Sequence, residues 1–280
     1  MNNTNLLKTG FVNERFRYYE KLVAELTMMS DMFMRNVLNI LECAEYVLRV
    51  ITENDDLELT EVVVQKDYKN LQGRSAVLDC VAVNGRKEIY DIEVQRSNTG
   101  ADAKRARYNS SLLDANITEP GDTYKKLAET YVIFITESDV FKAGKAVYHI
   151  DRVIRETKKI FEDEAHIIYV NSQKQNNTTL GRIMHDFYCK DAKDVKNKTL
   201  KNRIKFFKED KEGVTIMANT IDKFRLECEI AGMKKQSIET ARKMIKAGRF
   251  SNAEIADFAN LTEVDVESLK EDKNLKIAQN

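Results

Sequence analysis

The chain has 280 residues, 42% of them hydrophobic and 32% charged. That is enough for one substantial domain and an appendage, with a buried core and a polar, helix-rich surface. Its 45 basic and 45 acidic side chains cancel, which excludes a uniformly basic coating protein but leaves room for a local basic groove. The cysteines Cys43, Cys80, Cys189 and Cys228 show no CxxC or other close spacing. They read as free thiols, not as a disulfide frame or a zinc site. No stretch is apolar and long enough to span a bilayer, and Met1–Gly10 lacks a signal-peptide core. A cytoplasmic protein without a membrane partner is expected.

In chain order, residues 1–10 read as a frayed end and 12–29 as a helix. Asp31 to Val50 is a stronger helix. Phe33, Met34, Val37, Leu38, Leu41, Val47 and Leu48 recur at helical spacing, and Asp31 follows Ser30 at the start, where a carboxylate favours exposed amides. The period then changes. Glu61–Gln65, Ala76–Val83 and Glu88–Gln95 read as strands rich in β-branched residues. Asn84-Gly85 marks a turn between the last two. A helix is expected from about Ala101 to Ile117, closed by Pro120-Gly121. Thr130–Thr136 (TYVIFIT) reads as a strand buried on both faces, with weaker strands at Val147–Ile150 and His166–Val170. From about 177 onward the pattern is helical, with stretches near 180–188, 200–207 and 215–230. Three short helices follow at 238–247, 252–259 and 264–269, with Gly248 and Asn260 as stops. The expected fold is α/β, with domains at 12–175 and 176–280.

The chemistry concentrates in Ile89–Gln95, which reads IYDIEVQ. Side chains alternate faces along a strand. Tyr90, Ile92 and Val94 share an apolar face, and Asp91, Glu93 and Gln95 share the other. An edge strand with one solvated face would show the same alternation. Asp79 interrupts the preceding apolar strand, where an unpaired carboxylate is costly. A magnesium ion is one partner that would settle it, because Mg2+ takes few carboxylates and keeps several waters. Asp79 and Glu93 then supply oxygens and Gln95 orients the attacking water; its amide does not titrate and is no general base. Parity tests this reading. Across a two-residue turn, Asp79 would face Tyr90 and lie on the wrong side from Glu93. An odd-length connection, or a bulge, is therefore expected between Val83 and Ile89.

Several segments resemble, in order, the PD-(D/E)XK nuclease family transposases, or recombination-promoting nucleases. Ser30–Met34 is similar to the opening helix, without its usual lysine, and Val77-Leu78-Asp79 to the first acidic strand. Tyr90–Gln95 is close to the Y-D-I-E-M-Q signature. Lys104–Tyr108 matches the following helix and Gly121–Leu127 the G-x-x-Y-x-x-L segment before the next strand. The resemblance implies a restriction-endonuclease-like core, a mixed central sheet flanked by helices, with a helical C-terminal region for dimerisation or docking. It implies a metal-dependent DNA endonuclease with Mg2+ or Mn2+, serving mobile-element recombination or phage defence. Carried over, Asp79 and Glu93 become metal ligands, Gln95 positions water, and Asp31 is an outer acid near the metal. Gln95 stands where the superfamily more often has lysine. A weakly active or silent relative that binds DNA or protein is the alternative.

Arg105 and Arg107, with Lys104, open the helix after the acidic strand as phosphate contacts or as a solvated face. The lysine-rich segment 190–211 reads mainly as a solvated helix face. The acidic last helices make poor major-groove readers. His149, His166 and His185 show no metal-ligand or dyad spacing, and no Gly-rich phosphate loop occurs, so no nucleotide cofactor is expected. DNA and a second copy of the chain are the expected partners.

Overall fold

Thr130–Thr136 forms the middle of a six-stranded mixed sheet, as its continuous apolar run requires. The structure is a computed structural model that describes residues 3–68, 76–96, 100–118, 121 and 123–277. The expected turn at Pro120-Gly121 and the motif position Asp122 fall partly outside those residues. The strands are β1 (Leu59–Tyr68), β2 (Ala76–Asn84), β3 (Ile89–Gln95), β4 (Thr130–Thr136), β5 (Val147–Ile150) and β6 (Ala165–Asn171), in the order β1-β2-β3-β4-β6-β5. Pairing is antiparallel for β1–β2–β3 and for β5–β6, and parallel for β3–β4–β6. β3 is therefore an interior strand and not a solvated edge.

The helices before the sheet are α1 (Asn3–Glu25), α2 (Asp31–Leu38) and α3 (Leu41–Thr52). The single helix expected over 31–50 is broken at Asn39-Ile40, where Ile40 is extended and its carbonyl accepts the Cys43 and Ala44 amides. α1 starts earlier than expected and stops at Glu25. Lys208 donates to the Ala24 and Leu26 carbonyls, and the Met29 amide to the Phe187 carbonyl, so tertiary contacts end the helix. Met28 and Met29 are buried there as anchors.

α4 (Ala103–Ile117) crosses one face of the sheet, where Ala106, Leu112 and Leu113 meet Val81, Ile89, Val132, Phe134 and Tyr169. The opposite face buries Ile92, Val94, Ile133, Ile135, Ile168 and Val170. At about 25 cal/mol per Å² of apolar area, such two-sided burial is the main force holding the sheet. After β6 come α5 (Thr179–Tyr188) and α6 (Lys198–Glu209), both with side-chain N-caps, from Thr178 and Asn197.

The chain divides into two compact units, Met1–Ala218 and Asn219–Asn280. α7 (Lys211–Ala247) carries the chain from the first into the second. It is one 37-residue helix where two were expected. The stretch between them lacks proline, and Gly232 alone does not stop a helix. Gly248, at φ +71°, does stop it. In the second unit, α8 (Asn252–Ala259) and α9 (Glu263–Ile277) enclose Ala241, Ile255, Ala256, Ala259 and Val266. Ser251 and Glu254 form a capping box, and Asn260 ends α8 in the left-handed conformation. Among the described residues no helix is long and apolar enough to cross a membrane. The mixed sheet with flanking helices and a helical C-terminal region is the architecture that the resemblance implies.

Candidate active site

The β2–β3 connection decides which acids meet. Val83 lies opposite Ile89 and Cys80 opposite Ile92. The link Asn84–Glu88 is thus of odd length, as the parity argument requires. Asn84 builds it: its Oδ1 accepts the Arg86 and Glu88 amides and its Nδ2 donates to the Glu88 carboxylate. One step beyond Cys80–Ile92, the register sets Asp79 across from Glu93. The Asp79 amide hydrogen-bonds the Glu93 carboxylate.

The face of β3 that carries Asp91, Glu93 and Gln95 is covered, not solvated; Asp91 and Glu93 are both 0% exposed. α4 supplies the cover. Asp102 N-caps it by accepting the Lys104 amide, which fixes Arg105 in the first turn and Asn109 one turn later. Arg105 Nη2 donates to Glu93 Oε2 at 2.6 Å, and its Nη1 donates to Gln95 Oε1 and the Gly100 carbonyl. Gln95 Nε2 donates to the same Glu93 oxygen at 3.1 Å. Asn109 Nδ2 lies 3.3 Å from Asp91 Oδ2 and 3.5 Å from Glu93 Oε1. From α2, Arg35 lies 3.7 Å from Asp79 and 3.3 Å from Asp31. A Cβ on Gly100 would meet the end of the Gln95 side chain, which would have to turn aside.

Three carboxylates thus share two guanidinium groups in a desolvated place. Burial raises the Asp79 pKa to about 7, and the Glu93 charge adds to it while Arg35 opposes. Burial also raises Glu93, against the pull of Arg105. Asp91 is raised well above the usual carboxylate range by burial, then by Glu93 and Asp79. Its Oδ1 is buried without a hydrogen-bond partner, a deficit of roughly 1–3 kcal/mol. An oxygen-rich, under-neutralised set with one orphaned oxygen fits a hard divalent cation.

Asp31, Asp79, Gln95 and Arg105 line an open cleft of 320 Å³ together with Met29, Val94 and Arg96. A larger cleft of 630 Å³ lies at the other end of β3, around Lys87, Glu88, Ala128 and Glu129, away from the acids. The smaller one is the cleft that Asp79 and Gln95 line. Asp31 is half-exposed and paired with Arg35. Lys104 and Arg107 are exposed on α4 and contact with the acids runs through Arg105. Among the described residues, Asp31, Asp79 and Glu93 do not close into a trio of ligand atoms within 4.8 Å; the trio that does is His185, Asp186 and Cys189. His185 thus lies beside two other metal-type ligand atoms, a proximity that the wide cysteine spacing did not reveal.

Sequence reasoning missed Asp91, Asn109, Arg35 and Gly100 as members of the site. Asp91 is two residues from Glu93 and so on the same face. Asn109 is four after Arg105, and Arg35 four after Asp31, each one helical turn away. Those spacings were readable. The closeness of Gly100 to Gln95 was not, because it arises only from the Gln95 rotamer.

A family model described as PD-(D/E)XK nuclease family transposase matches residues 45–268, more than half of the chain. The match takes in β2, β3, α4 and the helices through most of α9's first two turns, and begins after Asp31 and Arg35. No curated protein and no solved structure matches the chain at a significant level.

Proposed function

We propose that this chain, which belongs to the PD-(D/E)XK nuclease family transposases, is a DNA endonuclease that hydrolyses phosphodiester bonds with a divalent cation, Mg2+ or Mn2+. The observation that carries the reading is the group Asp79, Asp91 and Glu93, buried on one sheet face with an unsatisfied Asp91 oxygen. Asp79 and Glu93 would hold the cation, with Asp91 behind them and Asp31 at the cleft rim. When bound, it supplies Lewis acidity and a water of lowered pKa.

The chain's own groups do the rest. Arg105 leans from α4 into the cleft and is the cation nearest the acids, placed to receive the scissile phosphate. Gln95 carries both a donor and an acceptor at the rim and orients the attacking water. Asn109 fixes the Asp91 and Glu93 rotamers from behind. Lys104 and Arg107 extend the positive surface along the exposed side of α4 and hold the DNA backbone. Cutting two strands calls for two sites, and a homodimer would supply them. The exposed apolar residues Leu226, Ile230 and Met233 of α7 offer a surface for it. A cytoplasmic setting, in mobile-element recombination or phage defence, suits this activity.

One observation favours a rival, a fold-retaining DNA-binding or interaction module that does not cut: Glu93 is already paired with Arg105, and Gln95 carries no charge. Plasmid nicking separates the two. The wild type with Mg2+ or Mn2+ should cut and Glu93→Ala should not. A wild type that stays silent at high enzyme and metal, while still binding DNA, would favour the rival.

A further inference from the structure

We propose that His185, Asp186 and Cys189 form a second metal site, selective for Zn2+ or a similar borderline-soft ion and separate from the oxygen-rich centre on the sheet. The argument starts from spacing. His185 and Cys189 are one helical turn apart at the end of α5, so their side chains lie on one face. Asp186 is adjacent to His185, yet its carboxylate comes round to the same point. His185 Nδ1 lies 3.2 Å from Asp186 Oδ1 and 3.5 Å from Cys189 Sγ, and all three atoms fall within 4.8 Å of one another. With metal–ligand bonds of about 2.0 Å to nitrogen and oxygen and about 2.3 Å to sulfur, a tetrahedral ion has ligand–ligand edges of roughly 3.3–3.6 Å. The two separations from His185 Nδ1 match those edges.

The surroundings suit a ligand set. Asp186 is 1% exposed, and its two oxygens accept the Lys196 and Asn197 amides at 2.8 and 2.9 Å. Backbone donors of this kind orient a ligating carboxylate and leave it a free lone pair on each oxygen. Cys189 is 9% exposed, while a third of the His185 side chain faces solvent. The neighbouring charges are mixed: Asp194 adds to the negative side, and Lys196 and Lys201 to the positive. The chemistry separates the two centres, because thiolate and imidazole select zinc whereas an all-carboxylate set selects magnesium.

The position also gives the site a task. α5 receives the Met29 amide at its Phe187 carbonyl, and Met29 lines the catalytic cleft beside Asp31. Asp186 meanwhile hooks the link that leads into α6. An ion on this trio would staple the end of α5 to that link and hold one wall of the cleft.

The test uses the full chain, loaded with Zn2+ and dialysed, with metal content measured on wild type, His185→Gln, Cys189→Ser and Glu93→Ala. One equivalent should remain in the wild type and in Glu93→Ala and be lost in the other two. Replacement by Co2+ should give a thiolate-to-cobalt charge-transfer band that Cys189→Ser abolishes. His185 is partly exposed, so His185→Gln should fold, and circular dichroism checks this. A wild type that retains no stoichiometric zinc, or the same retention in a folded His185→Gln, overturns the proposal. So does zinc that leaves with Glu93→Ala.

Discussion

β3 and the middle of α7 break the usual burial rule in opposite directions. In β3, Asp91 and Glu93 are sealed from water at 0% exposure. In α7, residues 223–236 are exposed on every side, and Leu226, Ile230 and Met233 stand open at 56%, 55% and 59%. Buried charge and contiguous exposed apolar surface are the informative exceptions in a folded chain. Each region lacks something: the strand lacks positive charge, and the helix lacks an apolar neighbour. Among the described residues nothing covers these four turns, and a helix gains little from propensity alone. On the proposed function, the first is a place for an ion and the second a place for a protein surface.

The strongest way to break the first half is Glu93→Ala. DNA cleavage should fall by at least about 100-fold in a steady-state nicking assay, with circular dichroism unchanged. Retained cleavage would move the chemistry away from β3.

The next effect is on stability. Burial pushes the Asp79 carboxyl up to about 7 in the folded chain, well above the carboxylate range of an unfolded one. A raised folded pKa means stability is full at acid pH and is lost as pH climbs from the unfolded value towards 7. Without metal, denaturant unfolding should therefore show stability dropping between about pH 5 and 7, by on the order of 1–3 kcal/mol. Asp79→Asn should flatten that slope. An equal slope in the variant would mean that Asp79 is not the group responsible.

The α7 half sharpens through charge. Leu226, Ile230 and Met233 follow a four-then-three spacing, the spacing of a coiled-coil seam. In an antiparallel pair centred near Ile230, Glu227 of one copy faces Lys234 of the other. Glu227→Lys or Lys234→Glu alone should weaken dimerisation about 10-fold, and the double swap should restore it, as read by analytical ultracentrifugation. A double swap as weak as either single change would remove this pairing. The smallest effect belongs to Lys104 and Arg107. Replacing either by alanine should reduce the slope of log binding against log salt by about 1 without changing sequence preference; an unchanged slope would leave them as solvated surface.

Much of this architecture was legible because it follows periodicity. The strand TYVIFIT and the alternation in IYDIEVQ fix β4 and β3 and their faces. The odd β2–β3 link followed from parity once Asp79 and Glu93 were taken to share a site, with a bulge as the other way to bring them to one side. Helix ends were less legible where distant residues set them. Lys208 ends α1, and Ile40 splits the helix expected over 31–50, and neither leaves a local mark. In the site, Asp79, Glu93 and Gln95 stood out as polar residues in apolar strands. Arg35 and Asn109 did not, because their role depends on how two separate helices pack on the sheet.

The central claim is that the acids of β2 and β3 form one centre for a hard divalent cation. Thermal unfolding of the full chain with and without Mg2+, at pH 6 and pH 8, tests it most directly. Mg2+ should raise the Tm more at pH 8, where Asp79 is ionised, and the gain should vanish in a folded Asp79→Asn variant. An equal gain at both pH values that persists in Asp79→Asn would contradict the account.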